Sequence, residues 1–240
     1  YGGFVFLDEM DENEVENGIK TAVEYLRKNE IKTLIVKEMI SIYERQKAIR
    51  INGFLANESQ TVLDKKINLA LDYRSDYKIS KSKLKHFRKI EELDLKLIEE
   101  HQLESFWKLV LVPRLLEKHD TKPVHTLKEI TGLKENFPNN IKQFSVYYEN
   151  VIVAGITVFE TETVVKSQYG ATTKKGEELR ALDFLFINLI KKYKSEGKLF
   201  FDMGIVNDAN ENGYHAGLLK QKEELGCSVY SQDFYKMNLI

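Results

Sequence analysis

The sequence has little of several features that define whole classes of protein. Its one cysteine, Cys227, cannot form an internal disulfide, and nothing in the chain indicates an oxidising compartment. No apolar run approaches the roughly 18 residues that suggest a membrane span, and no secretory signal is visible. The formal net charge of -1 gives no global attraction to nucleic acid, so an anionic partner would need a local basic patch. We therefore expect a cytoplasmic protein without a membrane span.

The bulk composition is that of an ordinary globular protein. The 240 residues are 42% hydrophobic and 30% charged, which is sufficient for one large or two small domains. The 5 histidines have no spacing typical of metal ligands, so we expect no metal site. Cys227 has no evident histidine partner, and we interpret it as a core residue rather than a nucleophile.

The first half of the chain predicts mainly helices. Val15, Ile19, Val23 and Leu26 recur at helical spacing and predict a helix over 13–29. Further along, the sequence predicts a strand over 33–36, a helix over 45–55, an extended segment over 60–71 and a highly charged helix over 80–97. An apolar-striped helix over 103–111 follows, which Pro113 bends. A short helix then runs to about 135, and its Thr126 and Glu129 have capping-box spacing.

The hydrophobic period changes after residue 140. Strands are predicted over 142–148, 151–159 and 163–171, with tight turns at Glu149-Asn150 and Thr161-Glu162. The elements that follow are a helix over 178–194, a short strand over 199–201, a polar loop, a helix that closes on Leu225-Gly226, and a strand carrying Val229, Phe234 and Tyr235. This order predicts an α+β protein with a mixed, mostly antiparallel sheet flanked by helices.

Several short patterns are more particular than this order of elements, above all FDMG over 201–204 and GLLKQKEELG over 217–226. They resemble the Fem-type (FemAB/FemX-like) branch of the GNAT acyltransferase superfamily. The other matching patterns are Tyr1-Gly2-Gly3-Phe4, the basic helix from Ser82 to Lys89, Phe106-Trp107, Lys122-Pro123-Val124-His125-Thr126, Phe137-Pro138, Ala154-Gly155 and Ala181-Leu182-Asp183. The resemblance implies a GNAT-like fold and an enzyme that transfers aminoacyl or related acyl groups onto amines of cell-envelope precursors.

The resemblance also predicts the domain organisation. Residues 1–75 are expected to be the remnant of a first GNAT-like domain, 76–100 a basic linking helix, and 101–240 a complete GNAT-like acyltransferase domain. The chain opens on Tyr1-Gly2-Gly3-Phe4 rather than on Met, so we expect a fragment that lacks its native N-terminus.

The segment from Lys174 to Leu182 matches the place of the loop that holds the pyrophosphate of CoA in ordinary GNAT enzymes. Glycines in such loops let backbone N–H groups approach the anion. Alignment on Ala181-Leu182 puts Glu177 and Leu179 where two glycines belong, which argues against a CoA pocket. Alignment on Gly176 keeps one glycine and two lysines, and a solvated loop is a third interpretation. The donor is left as aminoacyl-tRNA or acyl-CoA, with no tightly bound cofactor.

Three residues are candidates for catalysis. Asp202 ends a buried strand, where ligand sites of α/β sheets are found, and is assigned to removing a proton from an acceptor amine. Lys222 is assigned as a proton donor or as a ligand of a phosphate or carboxylate; the resemblance implies a lysine there in Fem-type enzymes and a tyrosine in CoA enzymes. Tyr235 is assigned to hydrogen bonding with the acceptor. The structural alternatives are a surface position for Lys222 and strand packing for Tyr235.

Further candidates are assigned to substrate binding because they lie near predicted strand ends or helix starts. These residues are Gln168, Tyr169, Asp183, Gly204 and Asn207. For Asp183, capping of its helix or pairing with Arg180 is the alternative.

A basic helix supplies the one candidate patch for phosphate or tRNA. Lys81, Lys85, Arg88 and Lys89 share much of one side of it, and Lys85, Arg88 and Lys89 are assigned to this contact. A solvated face is the alternative, since the aromatic residues expected for base stacking are not interleaved with these cations.

Together these patterns predict an N-acyltransferase of bacterial envelope or surface-polysaccharide synthesis, with an envelope or polysaccharide precursor as acceptor and tRNA as a candidate partner. One alternative is an acetyl-CoA or acyl-CoA dependent N-acetyltransferase of an amino sugar. The other is a degenerate, non-catalytic GNAT domain that only binds.

Overall fold

The computed structural model describes residues 4, 7, 9–37, 40–43, 62–207 and 213–240. The helix predicted over 45–55 lies outside these described residues. No helix within them is long and apolar enough to cross a membrane.

Helices and strands alternate along the described chain. The helices are α1 (Glu12–Lys28), α2 (Lys81–Glu91), α3 (Glu104–Phe106, continuing through the π-helical Trp107–Leu111 into Val112–His119), α4 (Leu127–Asn136), α5 (Lys174–Glu178), α6 (Ala181–Ser195) and α7 (Ala216–Glu224), with a short 3-10 turn at Ser41–Tyr43. The strands are β1 (Thr33–Lys37), β2 (Val62–Asp72), β3 (Leu95–Glu100), β4 (Ile141–Tyr148), β5 (Val151–Glu160), β6 (Val164–Thr172), β7 (Phe200–Ile205) and β8 (Ser228–Asn238).

The chain divides into two compact units, the first of which comprises 1–68, 205–215 and 229–240. Its strands follow the order β1-β8-β2, and β1 is antiparallel to β8. Helix α1 starts at a capping box in which Asp11 and Glu14 bond each other's backbone N–H at 2.9 Å. The apolar stripe of α1 predicted from the sequence is buried in a cluster made of Val15, Ile19, Val23, Val36, Tyr235, Met237 and Leu239.

The second unit comprises 69–204 and 216–228. Its strands follow the order β7-β6-β5-β4-β3, beside the last residues of β2. The pairs β3–β4, β4–β5 and β5–β6 are antiparallel, whereas β6–β7 is parallel. Residues 152–158 of β5 are all buried, so both faces of the sheet are covered there. The α+β class and the mixed, mostly antiparallel sheet flanked by helices are confirmed.

The three strands predicted after residue 140 are also confirmed. The turn between β4 and β5 has positive φ angles at Glu149 (49°) and Asn150 (61°), the conformation of a tight hairpin turn. The capping box at Thr126 and Glu129 is present at the start of α4.

Two predicted helices were wrong at their ends. The charged helix ends at Glu91 rather than at residue 97, and β3 follows it, paired with β4. Leu95 and Leu97 are partly buried between exposed neighbours, so this stretch has the two-residue period of a strand. The helix predicted over 178–194 corresponds to α6, which begins only at Ala181. The short helix α5 precedes it, and Arg180 between the two adopts a left-handed conformation with φ 52°.

The domain boundaries predicted at residues 75 and 100, and the proposed loss of the native N-terminus, stay predictions.

Helix α5 lies so close to β5 that it requires a glycine. A Cβ on Gly176 would lie 2.2 Å from the Val153 carbonyl oxygen and 2.2 Å from the Thr172 hydroxyl. We expect Gly176→Ala to lower the free energy of unfolding by roughly 1–3 kcal/mol, because backbone must move to admit the methyl group. Urea denaturation would measure this change.

Gly132, inside α4, is the matched control, since a Cβ there meets nothing within 4 Å. Gly132→Ala should be neutral or stabilise by up to about 1 kcal/mol. Equal effects of the two substitutions would contradict the close approach of α5 to β5.

Candidate active site

Two parallel strands separate in the second unit. The β6–β7 ladder pairs Val164 with Phe200, Val165 with Phe201 and Lys166 with Asp202, and ends there among the described residues. Strand β6 nevertheless continues to Thr172, still paired with β5. A gap therefore opens between the carboxyl ends of β6 and β7, which we call the β6/β7 gap. Openings of this kind are where open sheets bind ligands.

A β-bulge lies on the β6 side of the gap. Tyr169 pairs with Thr157 and Ser167 pairs with Val158, so Gln168 is the extra residue. Bulges re-aim a strand and are common beside active sites. The predicted substrate-binding residue Gln168 thus lies on β6 just beyond the last β6–β7 pair.

On the other side of the gap, the ends of β7 and α7 bring three predicted residues together. Asp202 is fully buried, and its Oδ1 accepts a hydrogen bond from the Gly204 N–H at 2.8 Å. Gly204 has φ 78°, a conformation that favours glycine. The Lys222 ammonium donates to the Gly204 carbonyl at 3.0 Å. Asp202, Gly204 and Lys222 therefore form one cluster. Gly204 and Lys222 lie 18 residues apart in the chain, and the sequence alone could not show that they are in contact.

Burial shifts the pKa values of two residues here, Lys222 and Cys227. It lowers the pKa of Lys222 to about 8, against the opposing influence of Cys227 and Asp202. Burial likewise raises the pKa of Cys227 to about 12. The Cys227 thiol lies 3.3 Å from the Met203 sulfur and is buried. The thiol is therefore protonated near neutral pH, as expected of a core residue and not of a nucleophile.

Tyr169 has a partner that the sequence did not indicate. His125 Nδ1 lies 2.5 Å from the Tyr169 hydroxyl, which also accepts a hydrogen bond from the His125 backbone N–H at 3.3 Å. Trp107 packs edge-on against the Tyr169 ring, with centroids 5.1 Å apart. No local sequence signal connects two residues that lie 44 positions apart in the chain.

Asp183 pairs with a lysine of α2, so its predicted alternative pairing with Arg180 was wrong. Its Oδ1 lies 2.6 Å from the Lys83 ammonium, and the two side chains are only 14% and 10% exposed. Lys83 is the one basic residue of α2 that turns inward, together with Phe87 and Ile90. The contact ties α2 to the first turn of α6.

The predicted phosphate contacts lie on the opposite side of α2. Lys85, Arg88 and Lys89 are all exposed, at positions three and four residues apart that share a helix face. Their role in binding phosphate or tRNA stays a prediction.

Asn207 and Tyr235 belong to the first unit. Asn207 Oδ1 accepts a hydrogen bond from the Ile67 backbone N–H at 2.6 Å, and Nδ2 donates to the Lys65 carbonyl at 3.4 Å. Tyr235 is 6% exposed and lies in the hydrophobic cluster beneath α1. In this unit both residues make structural contacts, and their predicted roles stay predictions.

The loop that would hold a CoA pyrophosphate is engaged within the protein. The Gly176 N–H donates to the Thr173 hydroxyl at 3.0 Å, which caps α5, and the Val153 carbonyl fills the place of a Cβ. The Glu177 carboxylate is bound by Arg114 and Lys118 of α3. Gly176 therefore allows α5 to pack closely against β5, and its backbone N–H already donates to the Thr173 hydroxyl.

A cavity of about 390 Å³ lies beside this loop. It is lined by the end of α3, the end of β6 and the start of α6, with basic residues Arg114, Lys118 and Arg180 and acidic residues Glu177 and Asp183. We call it the Arg114 cavity. No group of three or more His, Cys, Asp or Glu residues that could hold a metal occurs in the described part of the chain.

No protein-family profile and no curated protein matches the chain. Its fold, however, is similar to that of solved structures. FemX superposes with a TM-score of 0.70 at 10% identity, covering 96% of this chain and 78% of FemX. The C-terminal domain of a lysylphosphatidylglycerol synthetase from Agrobacterium fabrum gives 0.65 at 12% identity, covering 95% and 75%. A tandem GNAT protein of clavulanic acid biosynthesis gives 0.53 at 11% identity, covering 92% and 68%.

These likenesses show the fold. The chain has a GNAT-like fold of the type found in FemX, as its sequence patterns predicted.

The Lys83–Asp183 pair generates a stability prediction. Asp183→Asn leaves the largely buried Lys83 ammonium without its counter-charge, so we expect a loss of about 2–4 kcal/mol in the free energy of unfolding. Asp76→Asn is the control, because the Lys78–Asp76 pair is 80% and 87% exposed and should change stability by less than about 0.5 kcal/mol. An unchanged unfolding midpoint in Asp183→Asn would contradict a structural role of the pair; the predicted substrate-binding role of Asp183 stays a prediction.

Proposed function

We propose that this protein is an N-acyltransferase of GNAT/Fem type that moves an aminoacyl or acyl group onto an amine of a cell-envelope or surface-polysaccharide precursor. The observation that carries the proposal is the β6/β7 gap, with a buried carboxylate and a buried lysine of lowered pKa at its β7 end. Buried groups with shifted pKa values beside a cleft are typical of catalytic sites. The likeness to FemX and to a lysylphosphatidylglycerol synthetase domain supports this class of reaction.

The chemistry assigned to the gap is an acyl transfer. The acceptor amine attacks the acyl carbonyl carbon, forming a C–N bond and a tetrahedral intermediate with a negative oxygen. The Lys222 ammonium stabilises that oxygen and gives a proton to the leaving oxygen or sulfur as its bond to carbon breaks. Asp202 accepts the proton that the amine loses, directly or through water. The Gly204 N–H holds the carboxylate of Asp202 in one orientation.

The donor is proposed to be an aminoacyl-tRNA. In a CoA enzyme the loop before the helix offers free backbone N–H groups to a pyrophosphate. Here Gly176 uses its N–H and its open side for packing, and Glu177 places a carboxylate beside the loop. Both features favour a donor that does not depend on this loop. Exposed Lys85, Arg88 and Lys89 are proposed as the phosphate contacts of tRNA. The cytoplasmic location likewise stays a prediction.

The pKa of Lys222 predicts a pH dependence. The mechanism uses the ammonium form, which is lost as pH rises through about 8. We therefore expect kcat/KM to fall about tenfold per pH unit above that value. Lys222→Gln should lower kcat roughly 10²-fold or more and abolish this limb of the profile.

Lys220 supplies the control for that experiment. It lies on the same helix and is exposed, so Lys220→Gln should leave both the rate and the profile unchanged within about twofold. A pH profile that is the same in the wild type and in Lys222→Gln would remove Lys222 from the mechanism.

The donor is tested by direct transfer. The protein is incubated with an amine acceptor panel and either charged tRNA or acetyl-CoA, and acylated products are detected by mass spectrometry. Product from tRNA alone is expected. Product from acetyl-CoA alone would make the protein an acyl-CoA enzyme, and no product from either donor would favour a binding role.

A further inference from the structure

A second cavity, of about 520 Å³, lies between α4 and the segment that leads from β3 into α3. One wall is the face of α4 that carries Leu127, Thr131, Lys134 and Glu135, which recur three and four residues apart. The opposite wall is formed by residues 101–104. The volume is within the range of about 300–1,000 Å³ that is typical of small-molecule sites. We call it the Lys134 cavity.

The Lys134 cavity is separate from the sites described above. It shares no lining residue with the Arg114 cavity. In the sheet, β4 and β5 lie between β3 and β6. Neighbouring strands are about 4.8 Å apart, so β3, which leads into this cavity, is roughly 14 Å from the strand that borders the β6/β7 gap. A ligand in the Lys134 cavity therefore does not occupy the place assigned to acyl transfer.

Lys134 brings a cation into this cavity. Its ammonium donates a hydrogen bond to the Glu100 backbone carbonyl at 3.2 Å, and it forms no ion pair with a carboxylate in the described part of the chain. An ammonium has three N–H donors, so two of them remain for a ligand. Burial lowers the pKa of Lys134, against the opposing influence of Glu99 and Glu100. An anion that enters the cavity would stabilise this partly desolvated charge.

Glu135, the next residue of α4, brings a carboxylate to the same cavity. Among the described residues it has no cationic partner. The other carboxylate of the lining, Glu104, is bound by Lys108 at 2.5 Å. Adjacent residues of a helix do not face each other, so Lys134 and Glu135 do not pair. The cavity therefore presents one unpaired cation and one unpaired carboxylate.

Much of the remaining lining is apolar. Leu103 is buried and Leu127 is partly buried, and both belong to one hydrophobic cluster with residues of α3. Pro138 adds further apolar surface, and Thr131 and Gln102 add neutral hydrogen-bonding groups. The cavity thus offers an apolar surface beside two opposite charges.

This combination selects among classes of ligand. A simple anion would meet Lys134 but be repelled by Glu135, and a simple cation would meet the reverse situation. An uncharged apolar molecule would remove water from both charges without replacing it, which costs free energy. A zwitterion neutralises both charges, and an apolar side chain on it would cover Leu103 and Leu127.

We propose that the Lys134 cavity binds an amino-acid zwitterion with an apolar side chain. The carboxylate of the ligand contacts the Lys134 ammonium, its ammonium contacts the Glu135 carboxylate, and its side chain packs on Leu103 and Leu127. The site goes beyond the proposed function and does not rest on it, because binding there needs no acyl transfer.

The proposal is tested by calorimetric titration of the full chain with L-leucine at low salt. Leucinamide lacks the carboxylate, and N-acetylleucine lacks the ammonium. Each should bind about tenfold more weakly than leucine, because each loses one charge-assisted contact. Equal binding of the three compounds would overturn the proposal, as would the absence of saturable binding of leucine, methionine and phenylalanine.

Two variants connect each ligand charge to its residue. Lys134→Gln should weaken leucine binding about tenfold and abolish the preference for leucine over leucinamide. Glu135→Gln should weaken it similarly and abolish the preference for leucine over N-acetylleucine. Glu135 is exposed, so this second variant keeps the test valid if Lys134→Gln does not fold.

Exposed charges elsewhere supply the controls. Lys128 lies on α4 and Glu149 in the turn between β4 and β5, and neither lines the cavity. Lys128→Gln and Glu149→Gln should bind leucine within about twofold of the wild type and keep both preferences. Effects as large as those of the cavity variants would show a diffuse charge effect and overturn the site.

A dipeptide distinguishes the two sources of such a zwitterion. Tighter binding of leucyl-leucine than of leucine would assign the site to the end of a short peptide, and the reverse order to a free amino acid. In both cases Lys134→Gln and Glu135→Gln must weaken the tighter ligand, and binding that neither variant changes would place the ligand outside the Lys134 cavity.

Discussion

The parallel pairing of β6 and β7 is the constraint on which the candidate site depends. It holds the two strands together only as far as Lys166 and Asp202. Beyond that point β6 stays paired with β5 through the bulge at Gln168. The last residue of β7 that pairs with β6 is the buried Asp202, so the carboxylate lies where these two strands separate. A continuous β6–β7 ladder would have left no gap between the two strands.

The burial of Lys222 and Asp202, which carry opposite charges beside the β6/β7 gap, costs free energy. The Lys222 ammonium and the Asp202 carboxylate both lie in surroundings that disfavour charge. Hydrogen bonds from the Gly204 N–H and to the Gly204 carbonyl offset part of that cost. The remaining penalty lowers the pKa of Lys222 to about 8. In the proposed mechanism, the same burial that destabilises the cluster prepares Lys222 for proton transfer.

The sequence predicted strands and helices well where one apolar period ran unbroken. It predicted β4, β5 and β6 and the apolar stripe of α1, because the spacing of apolar residues shows which faces of a strand or helix are buried. It was wrong over 92–97, where charged residues masked the alternation of Leu95 and Leu97. It also missed the break at Arg180, since a left-handed residue other than glycine has no reliable local signature.

Hydrophobic spacing in the sequence was enough to predict the fold class and to place Asp202 at the end of a strand, whereas Gly204 and Lys222 were nominated by the resemblance to Fem-type sequences. The partners of those residues were decided by tertiary structure. Lys83 meets Asp183, and His125 meets Tyr169, across 100 and 44 residues. Glu177 looked like a carboxylate that would repel an anion, and only the packing of α5 against α3 gave it Arg114 and Lys118. Opposite charges pair over a few ångströms in space, so the separation of two residues along the chain does not indicate whether they pair.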